Sequence, residues 1–253
     1  MKPTSACLMR TAQKAALSAG SFILKAIQSK KIVANHIHDH DIKIQLDVDT
    51  QALLTKMICK DFPDHAILGE EGGEGSKGKS YEWILDPIDG TVNLFYGIPH
   101  FCISIACRYE NKILVGVILD PVRRECFHAI AGKGAFLNGK RIHVSQRSKL
   151  GEAILALGFS KGKDSIDKCL ELYQFYGPRA RKLRAMGSAA LDMAYIAAGR
   201  IDAYIEQGIK IWDIAAGMLI LEEAGGKIKL MAKKQLHHYH ICASNGRIKL
   251  PRI

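Results

Sequence analysis

The sequence predicts a layered fold of the α/β or α+β class, in which helices pack against the faces of β-sheets. Three patterns support this prediction. Apolar residues recur every three or four positions between residues 5 and 29, which is the spacing of an amphipathic helix. Short apolar segments separated by turn residues fill positions 101–145 and predict an antiparallel meander. Helical and strand patterns then alternate from residue 150 onwards, as expected for sheets flanked by helices.

The individual elements follow from local periodicity and from capping residues. In the N-terminal half we expect, in order, a helix over 5–29, a polar break over 36–41, a strand over 42–46, a helix from Asp47 or Asp49 to about Lys60, a strand over 66–68, a mobile glycine-rich loop over 69–78, a strand over 83–85, and strands over 101–108, 113–119, 125–130 and 134–137. In the C-terminal half we expect a strand over 153–157, helices over 166–175 and 189–198, a strand over 201–205, and a helix over 214–224 that Gly225 stops.

The chain of 253 residues is long enough to bury a large core, and it shows neither an internal repeat nor a low-complexity linker. We therefore expect a single domain over residues 1–253. Its two halves are predicted to be an α+β half over residues 1–145 and an α/β half over residues 146–253.

The composition predicts a cytoplasmic globular protein. Hydrophobic residues make up 48% of the chain, but no apolar run approaches the roughly 18 residues of a membrane span. The seven cysteines are odd in number and form no C-x-x-C pair, so we interpret them as reduced core thiols. The net charge of +11 permits binding to nucleic acid and also attraction of anionic substrates. Because the basic residues are spread along the chain, a nucleic-acid role is the less favoured interpretation.

The strongest chemical signal is the segment Asp86-Pro87-Ile88-Asp89-Gly90-Thr91, which directly follows an apolar strand. Two carboxylates that share one space at a strand end repel each other unless a cation neutralises them. Carboxylate and carbonyl oxygens suit Mg²⁺, and a glycine lets backbone N–H groups approach a phosphate closely. The same letters also form ordinary turns, so the segment alone does not decide between a turn and a metal site.

Two further acidic positions favour the metal site. Glu70 follows the strand over 66–68, and Asp213 lies at the start of the apolar helix near residue 214. For Asp213 the alternative is a simple helix N-cap, a position that aspartate favours. Carboxylates at several element ends are what a divalent-cation site requires.

Three other patterns are weaker. Residues 73–80 match the P-loop letters G-x-x-x-x-G-K-[ST], but a strand rather than a helix is predicted to follow them. Cys102 and Arg108 have the C-x5-R spacing of cysteine phosphatases, yet the residues between them alternate as a strand. The two histidine clusters are interpreted as polar loops rather than transition-metal sites. They are His36, His38 and His40, and His237, His238 and His240.

Taken together, the acidic segments resemble the inositol monophosphatase family, which belongs to the lithium-sensitive, Mg²⁺-dependent phosphatases. The resemblance extends over residues 5–245. The stretches that carry it are Gly-Glu-Glu at 69–71, Trp-Ile-Leu-Asp-Pro-Ile-Asp-Gly-Thr at 83–91, Gly-Ile-Pro-His-Phe at 97–101, Gly-Lys-Gly-Ala-Phe at 132–136, Gly-Ser-Ala-Ala at 187–190, Asp-Ala-Tyr at 202–204 before Glu206, and Trp-Asp-Ile-Ala-Ala-Gly at 212–217. The resemblance implies an αβαβα sandwich of the inositol monophosphatase and fructose-1,6-bisphosphatase type, and usually a homodimer.

The resemblance also implies roles for individual residues. Two or three Mg²⁺ ions, for which Mn²⁺ can substitute, are expected to bind Glu70, Asp86, the Ile88 carbonyl, Asp89 and Asp213. Asp47 and Thr91, with Glu70 facing a third ion, are expected to serve catalysis by orienting water. The substrate is expected to contact Asp89, Gly90, Thr91, Gly187, Ser188, Ala189, Glu206 and Asp213. Two metal ions can activate water and stabilise a leaving alkoxide without a covalent enzyme nucleophile.

The predicted substrate is a small phosphate ester, first myo-inositol monophosphate, because the letters Asp-Gly-Thr-Val-Asn at 89–93 match that branch. A 3′(2′),5′-bisphosphate nucleotide or another sugar phosphate is the alternative, and inhibition by Li⁺ is expected. An RNA- or transcription-associated role is the alternative of another class.

Around Asp47 the family pattern is altered, because Lys43 and Ile44 stand where Val-Thr is usual, so Asp49 rivals Asp47. The region over 229–240 is shortened relative to the pattern, and a final helix is expected to be missing.

Overall fold

The computed structural model of the protein describes residues 3–29, 34–38, 41–73, 80–160, 162–233 and 235–251. Within these ranges the helices are α1 (Ser5–Gln28), α2 (Gln45–Asp61), α3 (Thr91–Phe95), α4 (Lys163–Tyr176), α5 (Ala189–Ala197) and α6 (Ile211–Glu223). The strands are β1 (Ala34–His38), β2 (Asp41–Ile44), β3 (Ala66–Gly69), β4 (Tyr81–Asp89), β5 (Cys102–Tyr109), β6 (Lys112–Asp120), β7 (Glu125–Ile130), β8 (Ala135–Leu137), β9 (Lys140–Ile142), β10 (Ile154–Leu157), β11 (Lys182–Arg184), β12 (Ala203–Lys210), β13 (Lys227–Ala232) and β14 (His238–Ser244).

The outer layer of the N-terminal half consists of α1 and α2, which pack against each other and against the larger sheet. One face of α1 is buried because its alanine, leucine and isoleucine residues recur at helical spacing. The Thr4 side chain caps the helix by accepting a hydrogen bond from the Cys7 N–H group.

The larger sheet has seven strands in the order β3-β4-β5-β6-β7-β8-β9. All neighbouring pairs are antiparallel except β3 and β4, which run parallel. The predicted antiparallel meander over 101–145 is therefore confirmed. Because β3 and β4 run parallel, their carboxyl-terminal ends lie at the same end of the sheet, where the acidic residues are.

Helices α5 and α6 form the middle layer and are covered by sheets on both sides. Their residues are almost all apolar, as expected for helices without a solvent-facing side. Close packing depends on Gly116 in β6, because a Cβ atom at that position would lie 2.8 Å from the Ala216 carbonyl oxygen.

The smaller sheet has five strands in the order β11-β10-β12-β14-β13, and α4 covers β10 and β12 from outside. The sequence of layers is thus helix, sheet, helix, sheet, helix, which confirms the predicted αβαβα sandwich. The larger sheet is buried against α1 and α2 on one face and against α5 and α6 on the other.

Several predicted boundaries are corrected. The predicted strand over 42–46 ends at Ile44, because α2 begins at Gln45. The last helix begins at Ile211 rather than residue 214, and the strand predicted over 201–205 runs from Ala203 to Lys210. The polar break over 36–41 is largely wrong, since residues up to His38 belong to β1 and Asp41 begins β2. Residues 39–40, with His40, and residues 74–79 of the glycine-rich loop lie outside the described residues.

Two strands at the C-terminal end were not predicted. Strands β13 and β14 pair antiparallel, so the interpretation of His238 and His240 as loop residues is wrong.

No helix among the described residues is long and apolar enough to span a membrane. All seven cysteines lie within the described ranges and are free thiols. The prediction that they belong to the core is confirmed for Cys102, Cys107, Cys169 and Cys242 but is wrong for the half-buried Cys7, Cys59 and Cys126.

Candidate metal centre and active site

The acidic residues meet where the parallel strands β3 and β4 end. Glu70 directly follows β3, and its N–H group donates a hydrogen bond to the Leu85 carbonyl of β4 at 3.2 Å. This bond places Glu70 beside Asp86, the next residue of β4. Strand pairing therefore joins two carboxylates that are 16 positions apart in the sequence.

The segment after Asp86 leaves the regular ladder. A register shift between Asp86 and Asp89 interrupts the pairing with β5. The Ile88 N–H group donates to Asp86 Oδ1 at 3.0 Å, which fixes the carboxylate against its own backbone. Gly90 has φ +98°, and a Cβ atom there would lie 2.9 Å from the His100 carbonyl oxygen, so glycine is required at this turn.

Asp213 reaches the same place from α6. It is the third residue of the helix, and its Oδ2 accepts a hydrogen bond from the Lys210 N–H group at 3.0 Å. The simple N-cap interpretation is therefore wrong, because the acid caps the helix from inside its first turn.

One carboxylate oxygen from each of Glu70, Asp86 and Asp213 lies within 4.8 Å of the other two. Burial raises the pKa values of Asp86 and Asp213 well above their ordinary range, and the surrounding carboxylates raise them further. Concentrated negative charge in a buried place is unfavourable without a counter-ion. The all-oxygen donor set and the short spacing fit a hard divalent cation such as Mg²⁺.

Asp89 lies outside that close group. Its Oδ2 accepts hydrogen bonds from the Ser188 hydroxyl at 2.6 Å and the Ala190 N–H group at 2.7 Å. These bonds fasten the start of α5 to the end of β4. Burial raises the pKa of Asp89 to about 6, although the Ser188 and Ala190 donors partly oppose the shift.

Asp47 and Thr91 are in contact. The Thr91 hydroxyl donates to the Ile88 carbonyl at 2.8 Å and lies 3.3 Å from Asp47 Oδ1. Asp47 is 4% exposed, and burial, reinforced by the charges of Glu70 and Glu71, raises its pKa to about 7. Its rival Asp49 is exposed and accepts a hydrogen bond from the Gln45 side chain instead. The geometry favours Asp47 over Asp49.

A cavity of about 810 Å³ joins these groups. Of the residues predicted for the site, those that line the cavity are Glu70, Asp86, Ile88, Asp89, Gly90, Thr91, Gly187, Ser188, Ala189, Glu206 and Asp213. Asp47 is not among the lining residues and lies behind Thr91. The structure thus brings the predicted metal, phosphate and substrate residues to one cavity.

The end of the cavity near Glu206 includes residues to which sequence reasoning assigned no role. The Tyr204 hydroxyl donates a hydrogen bond to Glu206 Oε2, and burial raises the pKa of Glu206 to about 7. A Cβ atom at Gly158 would lie 1.8 Å from the same oxygen, so glycine makes room for the carboxyl group. Asp192 of α5 also lines this end. A lone acid in an otherwise apolar helix was the available signal for Asp192.

The competing patterns do not form sites. Cys102 and Arg108 both lie in β5, where burial raises the pKa of the Cys102 thiol and Arg108 pairs with Glu82 at 2.5 Å. Tyr81, soon after the P-loop letters, begins a strand rather than a helix. The histidines join no group of metal-ligand atoms among the residues that the structure describes.

The raised carboxyl pKa values predict how stability depends on pH. A carboxyl group whose pKa is higher in the folded state stabilises the fold below its unfolded pKa, and this contribution is lost as the pH rises through the folded value. Without metal, the melting temperature should fall by on the order of 5 °C between about pH 5 and pH 8. Millimolar MgCl2 should reduce that decrease, because the cation counters the ionised carboxylates.

Thermal unfolding in EDTA and in MgCl2 would measure both effects. NaCl at matched ionic strength is the control for general screening. An equal decrease with and without Mg²⁺ would contradict the proposed neutralisation.

Comparison with known proteins places these features in a family context. The profile of the inositol monophosphatase family matches residues 5–252. The protein is 40% identical over 249 residues to Nus factor SuhB of Pseudomonas aeruginosa, covering 95% of this chain and 92% of the relative.

Several solved structures share the fold, and two of them are given as examples. The extragenic suppressor protein suhB from Bartonella henselae superposes with a TM-score of 0.88 at 32% identity, covering 95% of both chains. The inositol monophosphatase from Anabaena superposes with a TM-score of 0.83 at 34% identity, covering 96% of this chain and 92% of the other.

Proposed function

The protein belongs to the inositol monophosphatase family, and on that premise we propose that it hydrolyses a small phosphomonoester with Mg²⁺, most readily a myo-inositol monophosphate. The observation that carries the proposal is the group of oxygens from Glu70, Asp86 and Asp213 within 4.8 Å, at one end of a cavity large enough for a sugar-sized ligand. Phosphoric monoester hydrolysis requires charge neutralisation at the phosphate, which such a group of carboxylates can organise through cations.

Each acidic residue has a distinct place in the proposed metal centre. Glu70, Asp86 and the Ile88 carbonyl would hold a first ion. Asp86, Asp89 and Asp213 would hold a second, with Asp89 using Oδ1 because Oδ2 already accepts from Ser188 and Ala190. A third, weaker ion would face Glu70. When bound, the ions supply positive charge that neutralises phosphoryl oxygens and makes water more acidic.

The remaining residues would position the reactants. Thr91, whose hydroxyl is held by Asp47 and the Ile88 carbonyl, would orient the attacking water. Backbone N–H groups at Gly90 and Thr91 would bind the phosphate, since the glycine leaves space for close approach. Glu206 and the backbone over Gly187, Ser188 and Ala189 would contact the hydroxyls of the leaving group.

A substrate panel tests the proposal. Phosphate release should be fastest with myo-inositol 1-phosphate and slower with a 3′,5′-bisphosphate nucleotide, fructose 1,6-bisphosphate and histidinol phosphate. Release should require Mg²⁺ or Mn²⁺, and millimolar Li⁺ should inhibit it by competing at the second ion. Release that is indifferent to EDTA would contradict the metal mechanism. A faster rate with the nucleotide would transfer the assignment to the bisphosphate nucleotidase alternative.

A transcription-associated role is the second candidate. It is favoured by relatives that carry the name Nus factor SuhB, one of them 40% identical, and by the net charge of +11. We place both activities in the cytoplasm, in a protein that is a homodimer by analogy with its family. The two candidates do not exclude each other.

A further inference from the structure

Asp192 is a buried acid with no evident structural role. It lies in α5, where all nine residues from Ala189 to Ala197 are buried, and it is 3% exposed. Within the part of the chain that the structure describes, its Oδ1 atom is buried without a hydrogen-bond partner. An unpartnered buried oxygen costs free energy, so packing alone would favour an apolar side chain here.

The position of Asp192 supplies a reason for its presence. It lines the cavity with Tyr204 and Glu206, at the end where the leaving group would bind. Asp89 and Glu206 line the same cavity. Burial raises the pKa of Asp192 well above its ordinary value, and the charges of Asp89 and Glu206 raise it further. Asp89 and Glu206 already accept internal hydrogen bonds, from Ser188 and Tyr204 respectively. Of the three carboxyl groups, Asp192 is therefore the one that has a buried oxygen without a partner among the described residues.

The charges of the residues that line the cavity limit which leaving groups can bind. None of the described residues that line the cavity is lysine, arginine or histidine. A leaving group with a second phosphate or a carboxylate would meet several carboxyl groups and no cationic side chain among the described lining residues, which disfavours it. Neutral hydroxyl groups, in contrast, can donate hydrogen bonds to carboxyl oxygens.

We propose that Asp192 is a further substrate-binding residue of this cavity, and that its carboxyl group accepts a hydrogen bond from a hydroxyl of the leaving group. This inference rests on the proposed phosphatase function and deepens it. It adds Asp192, beside Glu206, to the residues that would recognise the hydroxyls of the leaving group. Discrimination is strong in such sites, because an analogue without the hydroxyl leaves the buried oxygen unpaired.

The test compares two substrates across matched variants. Asp192→Leu removes the acceptor but keeps the branched shape of the side chain, and Asp192→Asn keeps one acceptor oxygen at nearly the same volume. Asp167→Leu is the control, because it makes the same Asp-to-Leu change at an exposed position of α4. For Asp192→Leu, kcat/KM with myo-inositol 1-phosphate should fall roughly ten- to hundredfold. The loss with propyl phosphate, whose leaving group has no further hydroxyl, should be smaller. The ratio of kcat/KM for myo-inositol 1-phosphate to kcat/KM for propyl phosphate should therefore fall about tenfold. Asp192→Asn should fall between wild type and Asp192→Leu.

A stability measurement separates binding from a structural role. Since Asp192→Leu removes an unpaired buried carboxyl group, its melting temperature should equal or exceed that of the wild type. Equal losses on both substrates would overturn the inference while leaving the phosphatase function intact. A wild-type protein that hydrolyses neither substrate would refute the proposed function, and the inference with it. Should Asp192→Leu unfold, the substrate ratio of the folded Asp192→Asn variant decides.

Discussion

Replacing Asp86 with asparagine is expected to abolish phosphate release, with a loss of at least roughly 1,000-fold in kcat/KM. Asp86 is 1% exposed, and one of its oxygens lies within 4.8 Å of oxygens of Glu70 and Asp213. It is the residue that both proposed ions would share. An amide removes the shared negative charge but keeps an oxygen that can accept the Ile88 N–H bond at Oδ1. The turn should therefore persist while the metal affinity is lost.

Thermal unfolding provides a readout that does not depend on activity. At a hundredfold excess over its dissociation constant, a bound ion stabilises the wild type by about 2.7 kcal/mol, and Asp86→Asn should lose this increment. In EDTA the variant should be at least as stable as the wild type, because burial and neighbouring carboxylates disfavour the ionised Asp86.

Asp64→Asn is the matched control, since Asp64 is exposed in the turn before β3. It should leave the activity and the Mg²⁺-dependent melting shift unchanged. Full activity of Asp86→Asn would remove the basis of the metal centre. A transcriptional phenotype of a null strain that Asp86→Asn rescues would establish that the second candidate function is independent of hydrolysis.

The sequence predicted the strands and turns that present the acids better than it predicted the helices beside them. The β4 segment was predictable because an apolar strand ends in two aspartates and a glycine, all within six residues. The starts of α2 and α6 were placed too late for one shared reason. Asp47 and Asp213 were expected at or before the first helical residue, but each is the third residue and accepts the N–H group of the residue three positions earlier.

The role of Asp89 in fastening α5 depends on contacts that no local pattern contains. Its partners Ser188 and Ala190 are about one hundred positions away, and only the packing of α5 between the sheets brings them together. Gly158 and Tyr204 were missed for the same reason. The β13 strand, in contrast, carried a readable signal, since Lys227 and Lys229 alternate with Ile228 and Leu230, which pack against the core.

A buried network away from the cavity predicts the largest loss of stability. Asp202 has a fully buried side chain, and its Oδ1 accepts from the Ser145 hydroxyl and from Asn245 Nδ2. Its Oδ2 accepts from the Ile154 N–H group at 2.9 Å, and Arg147 Nε lies 2.9 Å from both oxygens. The carboxylate thus joins the segment before β10, the start of β10 and the end of β14.

Asp202→Ala should lower the free energy of unfolding by about 3 kcal/mol, near the lower end for a broken buried ion pair. The loss is moderated because Arg147 is 35% exposed and can turn towards water, whereas the Ile154 N–H group cannot. Asp202→Asn should recover little, since its amide nitrogen would face the donors of Arg147 or Ile154.

Asp167→Ala, at an exposed position of α4, should change stability by less than about 0.5 kcal/mol. Urea unfolding of the three variants measures these differences. A decrease below about 1 kcal/mol for Asp202→Ala would mean that water replaces the carboxylate in the network. Since none of Asp202, Arg147 and Ile154 lines the carboxylate cavity, the folded Asp202→Ala variant should keep most of the wild-type kcat/KM although its free energy of unfolding is lower.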